Sequence, residues 1–329
     1  MSYTINWDGF SFTREDFVAY DVGCPICLSG DIRKYSELDG NFNFFFNYCH
    51  HCHGVSASHH LTDEATSKYY NEFYKVRDDK HKDLGIVTST GRIAGTTKDR
   101  DDKLKDLGLG TPNYKKVIKQ FLPHVSIEKR EISILDWGGG SGLMACVAAE
   151  VLLERPEIAK VDILVCDFEN ETVRPVNKNI RVERVRSVEK AMDKFDLVIA
   201  SAVIEHVNYP HAILPLLFSL VEKGGYFYIR VPYAMPIYKV VKKLKVFSDY
   251  RMKFPMHLHD FSPQFFDNIY NTYNISGFTT VFSAPPCVEN TFRHNPLMAV
   301  LTRLIRFPYL FCKAYPFVGS WAILSHREA

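Results

Sequence analysis

The amino-acid sequence predicts an α/β fold: a doubly wound, mostly parallel sheet preceded by a small cysteine-bearing module. Three observations carry this. From residue 113 onward, short apolar runs alternate with helix-like patterns, the order expected of strands joined by crossover helices. One junction, Ile132 to Gly142, passes from an apolar run through Asp136 into a glycine-rich turn and reopens as the helical run Leu143–Leu153. Ahead of this, two Cys-x-x-Cys pairs flank an aromatic-rich stretch.

The module, taken as residues 1–64, holds Cys24-Pro-Ile-Cys27 and Cys49-His-His-Cys52. Between the pairs, Arg33–Leu38 and Asn41–Tyr48 read as strands joined across Asp39-Gly40, a hairpin-turn dipeptide. Two knuckles flanking a hairpin make a zinc-ribbon-like arrangement. Four thiolates at i, i+3 spacing close a tetrahedral, structural Zn²⁺ site with no open position. Gly30 and Gly54 are expected to relieve the tight turn after each pair. His50, His51 and His53 could stand in for a cysteine. Four buried free thiols are the plain alternative, which leaves the shared spacing of the pairs unexplained.

Residues 65–112 read as a helical and loop connector. Tyr69, Tyr70, Phe73 and Tyr74 share one helical face, a stripe that either packs or covers a ligand. Asp78–Arg100 follows, glycine-bearing and poor in apolar residues, a loop that could serve as a lid. The remaining domain, 113–329, predicts strands at 132–137, 161–167, 180–184, 195–201 and 225–231. Helices are expected at 113–122, 141–153, 211–222 and 262–274. Gly277–Ser283 and Val318–Ser325 read as a closing antiparallel pair around a helical insertion, 296–313.

Composition narrows the function. With 329 residues, 46% of them hydrophobic, the chain can bury one large core and an accessory module. A formal charge of +2 argues against a dedicated nucleic-acid binder. No basic-then-apolar leader opens the sequence. The longest apolar stretch, Pro296–Leu324, is broken by Arg303, Arg306 and Lys313, short of the roughly 18 residues of a spanning helix. Peripheral membrane contact stays open. Cysteines paired for metal suit a reducing compartment, so a cytoplasmic protein is expected.

A strand that ends in glycines and reopens as a helix brings a ligand close to backbone N–H groups. The dinucleotide fingerprint would need a glycine where Leu143 stands. The run Asp136-x-Gly138-x-Gly140-x-Gly142 instead resembles motif I of the class I S-adenosylmethionine-dependent methyltransferases. That resemblance implies a Rossmann-like seven-stranded sheet of order 3-2-1-4-5-7-6, with the cofactor at Asp136, Gly138, Gly139 and Gly140. Asp167, closing the second strand, can accept hydrogen bonds from both ribose hydroxyls. The resemblance makes it the motif II acid and lays Phe168 against the adenine. Many relatives carry an acid for the adenine amino group where this chain reads Arg186-Ser187-Val188, so that contact passes to Ser187 or to backbone. Ser201, ending the fourth strand, completes the candidate cofactor set.

The fourth strand runs on into Ala202-Val-Ile-Glu205-His206-Val207, similar to the family's post-strand motif ending in Glu-His. Such a position, at the carboxyl ends of the strands, is where ligands bind in open sheets. Further on, His257-Leu-His259-Asp-Phe261-Ser262-Pro263 resembles a His-x-x-x-Phe-[Ser/Thr]-Pro element of methyltransferases common in sugar, glycan and secondary-metabolite pathways. Methyl transfer mainly needs alignment, but a sugar hydroxyl must also lose its proton. A histidine, with an unperturbed pKa of about 6.5, suits that task. The resemblance puts His257 in the role, with His259 in reserve; His206 either lines the pocket or holds a loop carbonyl by a hydrogen bond. Ser262 reads as a helix cap, with Pro263 at the first position. Lys239, Lys242, Lys243, Lys245, Arg251 and Lys253 either grip the diphosphate of a nucleotide-sugar or lipid-linked glycan or form a solvated face. The expected activity is O-methylation of a sugar or glycan precursor as a small-molecule acceptor. Keto-sugar C-methylation, rRNA base methylation and an inactive methyltransferase-fold binding module are the alternatives.

Overall fold

A computed structural model describes residues 4–7, 10–72, 114–168, 175, 177–187, 194–244, 254–286, 300 and 303–329. The Asp78–Arg100 loop, Phe73 and Tyr74 lie outside the described residues, as do Lys245, Arg251 and Lys253 and the side chain of Lys242.

The N-terminal part is built from short strands. β1 (Ile5–Trp7) pairs with β2 (Phe10–Phe12), and β3 (Phe17–Ala19) pairs with β7 (His59–Leu61), both antiparallel. β4 (Ile32–Asp39) and β5 (Phe44–Cys49) form a hairpin, but the turn is longer than Asp39-Gly40 suggests. Asp39 belongs to the strand. Its Oδ1 accepts from the backbone N–H groups of Asn41 (3.0 Å) and Phe42 (3.2 Å), and Asn43 takes the left-handed conformation at φ 55°. Helix α1, over residues 63–72, starts at Thr62, whose Oγ1 accepts from the Ala65 N–H at 3.2 Å.

The knuckle turns also differ from expectation. Their left-handed residues are Leu28 (φ 66°) and His53 (φ 59°), not Gly30 or Gly54. Gly30 faces open space, whereas a Cβ on Gly54 would lie 2.5 Å from Ile26 Cδ1. Gly54 is favoured by close packing against Ile26 rather than by its backbone angles.

The main sheet contains β8 (Glu131–Trp137), β9 (Lys160–Cys166), β10 (Ile180–Val185), β11 (Phe195–Ser201) and β12 (Val221–Tyr233), with β14 (Phe278–Ala284) and β15 (Gly319–Arg327). Its order is β10-β9-β8-β11-β12-β15-β14, or 3-2-1-4-5-7-6 when these strands alone are counted. β15 runs antiparallel to both neighbours, and the other pairs are parallel. Helices α2 (Tyr114–Phe121) and α3 (Leu143–Leu152) cover one face, closing a core of Phe121, Met144, Leu152, Ile134 and Tyr228. The other face is covered by α4 (Pro210–Ser219), α6 (Pro263–Asp267) and α7 (Ile269–Thr272). That core runs from Phe218 and Phe227 through Phe261 and Phe265 to the four knuckle cysteines.

Two boundaries move for identifiable reasons. The helix expected over 211–222 ends at Ser219 because Val221 already pairs with Phe195. The register then shifts across Gly224 (φ 74°) and Gly225, where a Cβ would lie 3.0 Å from the Asp196 carbonyl oxygen. The helix expected over 262–274 breaks at Asn268 into α6 and α7. Helical turns are described at 303–306 and Phe307–Leu310 within the 296–313 insertion.

The module and the large domain share one sheet. Beyond β5 comes β6 (Val55–Ala57), and beyond β6 comes β13 (His259–Asp260), from the C-terminal half of the chain. The boundary placed at residue 64 has no counterpart in this hydrogen bonding. The N-terminal core likewise takes Phe254, Met256 and Leu258, and it takes Met235 and Tyr238 from helix α5 (Met235–Leu244). Buried Asp260 accepts from the N–H groups of Ala234 (2.7 Å) and Met235 (3.2 Å) at the start of α5, and burial pushes its carboxyl up to about 7.

His259 is 2% exposed. Its Nε2–H donates to the Val207 carbonyl at 2.8 Å, and Nδ1 accepts from the Ser56 hydroxyl at 3.0 Å. Both ring nitrogens therefore serve the β13–β6 junction. Burial above all, countered by the carbonyl contacts at Val207 and Asn208, holds its pKa down at about 3 against 6.5 for a free histidine. The reserve base is thus a structural residue. Because the folded state binds this proton less readily than the unfolded chain, its stabilising contribution is present above about pH 6.5 and is lost as pH falls toward 3. His259→Gln should lose less stability than the parent between about pH 7 and about pH 5 in denaturant melts; identical losses would show that His259 is not buried neutral.

Candidate active site

β8 ends at Trp137 and turns into α3 through Gly138 (φ 65°), Gly140 (φ 55°) and Gly142 (φ 80°), left-handed positions that favour glycine. Space is equally restrictive. A Cβ would lie 2.2 Å from Val203 Cγ2 at Gly138, 2.3 Å from the Asp136 carboxyl at Gly139, and 2.6 Å from Val165 Cγ2 at Gly142. The loop rests directly on the ends of β9 and β11. Beneath it lies Asp136, 1% exposed, accepting from the Ala145 N–H at the start of α3. Burial pushes its carboxyl up to about 7, opposed by that bond, with neighbouring Asp167 adding to the rise and Arg184 opposing it. The structure therefore places Asp136 as the floor of the loop.

The rim of the loop is tied on both sides of Gly140. Asp167, just past β9, accepts from the Gly140 N–H at 2.8 Å, while Arg184 on β10 donates to the Gly140 carbonyl at 2.7 Å. Phe168 stands 72% exposed beside Asp167, and half-buried Ser187 follows β10. Ser201 accepts from Arg230 Nε at 2.9 Å.

Nothing in the sequence singles out Arg184, which reads as one charge among several on a mixed strand. Tyr70 was visible only as one member of an aromatic stripe. The stripe divides: Tyr69 is buried in the N-terminal core against Phe10, and Tyr70 comes within electrostatic reach of Asp167 and Glu205. Burial first, then Tyr69 and those two acids, push the Tyr70 hydroxyl up to about 12. Tyr114, at the start of α2, is raised by burial and feels both Arg230 and Asp136. Helices α1 and α2 thus each turn a tyrosine toward the acids at the strand ends.

The Glu-His motif forms a 3-10 turn, Ile204–His206, directly after Val203. Glu205 is fully buried, and its Oε1 lies 3.8 Å from His206 Nε2. His206 Nδ1–H donates to the Met256 carbonyl at 3.0 Å, and the Leu258 N–H donates to the Glu205 carbonyl at 2.8 Å. These bonds bring half-buried His257 against His206, with ring centroids 4.7 Å apart and planes at 90°. The ligand atoms of Glu205, His206 and His257 all fall within 4.8 Å of one another.

The four knuckle cysteines form the other cluster among the described residues. Their sulfurs lie within 4.8 Å of one another, with Cys24–Cys52 at 3.7 Å and Cys27–Cys49 at 3.6 Å. A disulfide needs about 2.05 Å. A tetrahedron with Zn–S of about 2.3 Å has an edge of about 3.8 Å, which these spacings match. The knuckles are also anchored to the large domain. Tyr273 donates to the Ile26 carbonyl (2.8 Å), His211 Nδ1–H to the Pro25 carbonyl (3.0 Å), and Ser262 to the His53 carbonyl (3.0 Å). Ser262 also accepts from the Phe265 N–H at 3.2 Å, capping α6 as expected.

The crowding under the loop makes a direct test. Gly139→Ala drives a methyl group into the Asp136 carboxyl, so S-adenosylhomocysteine affinity measured by isothermal titration should fall at least about tenfold. Unchanged affinity would show that the loop does not form the cofactor site.

No curated protein matches the chain in sequence. Among solved structures, it is similar to one from Haloferax volcanii described as a complex of the Trm112 methyltransferase activator and a putative methyltransferase. That match has 15% identity and a TM-score of 0.44, covering 70% of this chain and 95% of that one. The plantazolicin methyltransferase BamL, solved in complex with a triazolic desmethylPZN analog and S-adenosylhomocysteine, gives 14% identity and a TM-score of 0.43 over 71% and 92% of the two chains. Likeness so distant carries nothing about substrate or partner. The family model described as "Methyltransferase domain" matches residues 111–276, just over half of the chain. The chain belongs to that family, and it is an S-adenosylmethionine-dependent methyltransferase.

Proposed function

We propose that the enzyme methylates an oxygen of a small hydroxylated acceptor, a sugar or glycan precursor, with His257 as the general base. The observation that carries this is the gathering of Glu205, His206 and His257 one turn beyond Val203, the residue that touches the glycine loop. Bound S-adenosylmethionine supplies a methyl group on a positively charged sulfur. The chain's own residues do the rest. The glycine loop and Asp167 hold the nucleoside, Phe168 meets the adenine, and Tyr70 closes the site from α1. His257 accepts the acceptor's hydroxyl proton as the oxygen bonds to the methyl carbon.

A hollow of about 350 Å³, lined by Tyr35, Tyr48, Tyr233, Asp260 and Gln264 among others, opens beside β13; Glu205, His206 and His257 are not among its lining residues. Tyrosine faces and a few polar groups suit a sugar ring. A larger hollow of about 580 Å³, lined by Ser126, Lys129 and Arg155, sits before the start of β8 and has no part in this. Of the basic stretch, Lys239 is engaged, its ammonium 3.8 Å from the centroid of Tyr35 beside the hollow, and Lys243 is exposed. These two are the described lysines that could meet a diphosphate. No described helix is long and apolar enough to cross a membrane.

His257→Ala should lower kcat by about 10²–10⁴ on the acceptor found by screening nucleotide-sugars and glycans, with S-adenosylhomocysteine affinity retained. Nearly full turnover would remove His257 from the mechanism.

The cysteine set is proposed to hold one structural Zn²⁺ per chain. Metal analysis should find one zinc, and Cys49→Ser should lose it. Because the knuckles carry bonds from His211, Ser262 and Tyr273, that variant should lower the melting temperature of the whole chain. Protein with four reduced cysteines and no stoichiometric zinc would contradict the assignment.

A further inference from the structure

The geometry of the Glu205–His206–His257 cluster points to a second metal site. We propose that these three side chains bind a divalent transition ion, such as Zn²⁺ or Mn²⁺, at the acceptor end of the active site. The inference rests on the reading above, that this cluster activates the acceptor hydroxyl, and it changes how that is done.

Three features carry it. The donor set is one carboxylate and two imidazoles, hard and borderline ligands that suit such ions. All three ligand atoms lie within 4.8 Å of one another, and Glu205 Oε1 and His206 Nε2 are already 3.8 Å apart. Around an ion at about 2.1 Å from each, neighbouring ligand atoms sit roughly 3.0–3.4 Å apart, so closure needs only a small inward shift. Finally, His206 is set up as a ligand. Its Nδ1–H is committed to the Met256 carbonyl, and its Nε2 lies on the Glu205 side, 3.8 Å from Oε1. A backbone carbonyl fixing one ring nitrogen so that the other can coordinate is the usual outer-shell arrangement of metal-binding histidines.

The contrast with the cysteine set is informative. Four thiolates close a site, whereas three protein ligands leave a position for substrate. An acceptor hydroxyl bound there loses its proton to solvent, because the ion stabilises the oxyanion. That oxygen then bonds to the methyl carbon, the carbon–sulfur bond breaks, and its electron pair stays on sulfur, giving a neutral thioether. His257 acts in this scheme as a ligand rather than as the proton's destination.

The test uses the full chain with its cysteine site zinc-loaded. Added Mn²⁺ is followed by loss of the free-ion electron paramagnetic resonance signal, and added Zn²⁺ by atomic analysis. The parent should take up one further ion per chain. Glu205→Gln and His257→Ala should each weaken uptake at least about tenfold while S-adenosylhomocysteine affinity, which reports an intact fold, is retained. No further uptake of either ion, or uptake undiminished in both variants, overturns the proposal. If uptake is absent but His257→Ala still loses turnover, the cation falls and the general-base reading stands.

Discussion

Most of the molecule hangs on one short run of backbone, Met256 to Ser262, hydrogen-bonded on both sides. On one side Leu258 donates to the Glu205 carbonyl, and the Met256 carbonyl receives His206. On the other, the Leu258 carbonyl accepts from Ala57, and His259 and Asp260 pair with Ser56 and Val55. The run ends at Ser262, which caps α6 and bonds the second knuckle. A two-residue strand contributes little by itself. Here it joins the N-terminal sheet, the helix starts of the large domain and the Glu-His turn, so displacing it costs all of them together. The cysteine module is thereby hydrogen-bonded into the large domain rather than appended to it.

The electrostatics beneath the glycine loop follow from two acids held close together. Asp136 is fully buried and costly to ionise, and Asp167 adds to that cost, while Arg184 offsets it and fastens the loop through Gly140. Tyr70 lies within electrostatic reach of both Asp167 and Glu205.

The sheet and the glycine loop were legible in the sequence because both obey local rules. Buried parallel strands read as apolar runs, and left-handed turns under close packing demand glycine, as at Gly138 and Gly142. The cysteine cluster was legible from its paired spacing. What stayed hidden depends on partners far away in the chain. His257 and His259 are chemically identical in sequence, and what marks His259 as structural is its burial and its bonds to Val207 and Ser56. β13 is too short to show any periodicity, and its strand character comes from β6. Leu28 and His53 take conformations that composition assigns to the nearby glycines, because the turn positions are fixed by the sulfurs they surround. Tyr114 and Arg184 come near the acids at the strand ends through tertiary placement, for which one sequence holds no signal.

The central claim is that the N-terminal module and the methyltransferase domain are one cooperative unit joined through Met256–Ser262. Hydrogen exchange at the Ala57 and Leu258 amides, compared with amides in β8 and β11, tests it most directly. The account predicts that Ala57 and Leu258 open with the same free energy as the central strands, and that zinc removal lowers the protection of both amides together. A module that exchanges as a separate, weaker unit while Leu258 stays protected would contradict it.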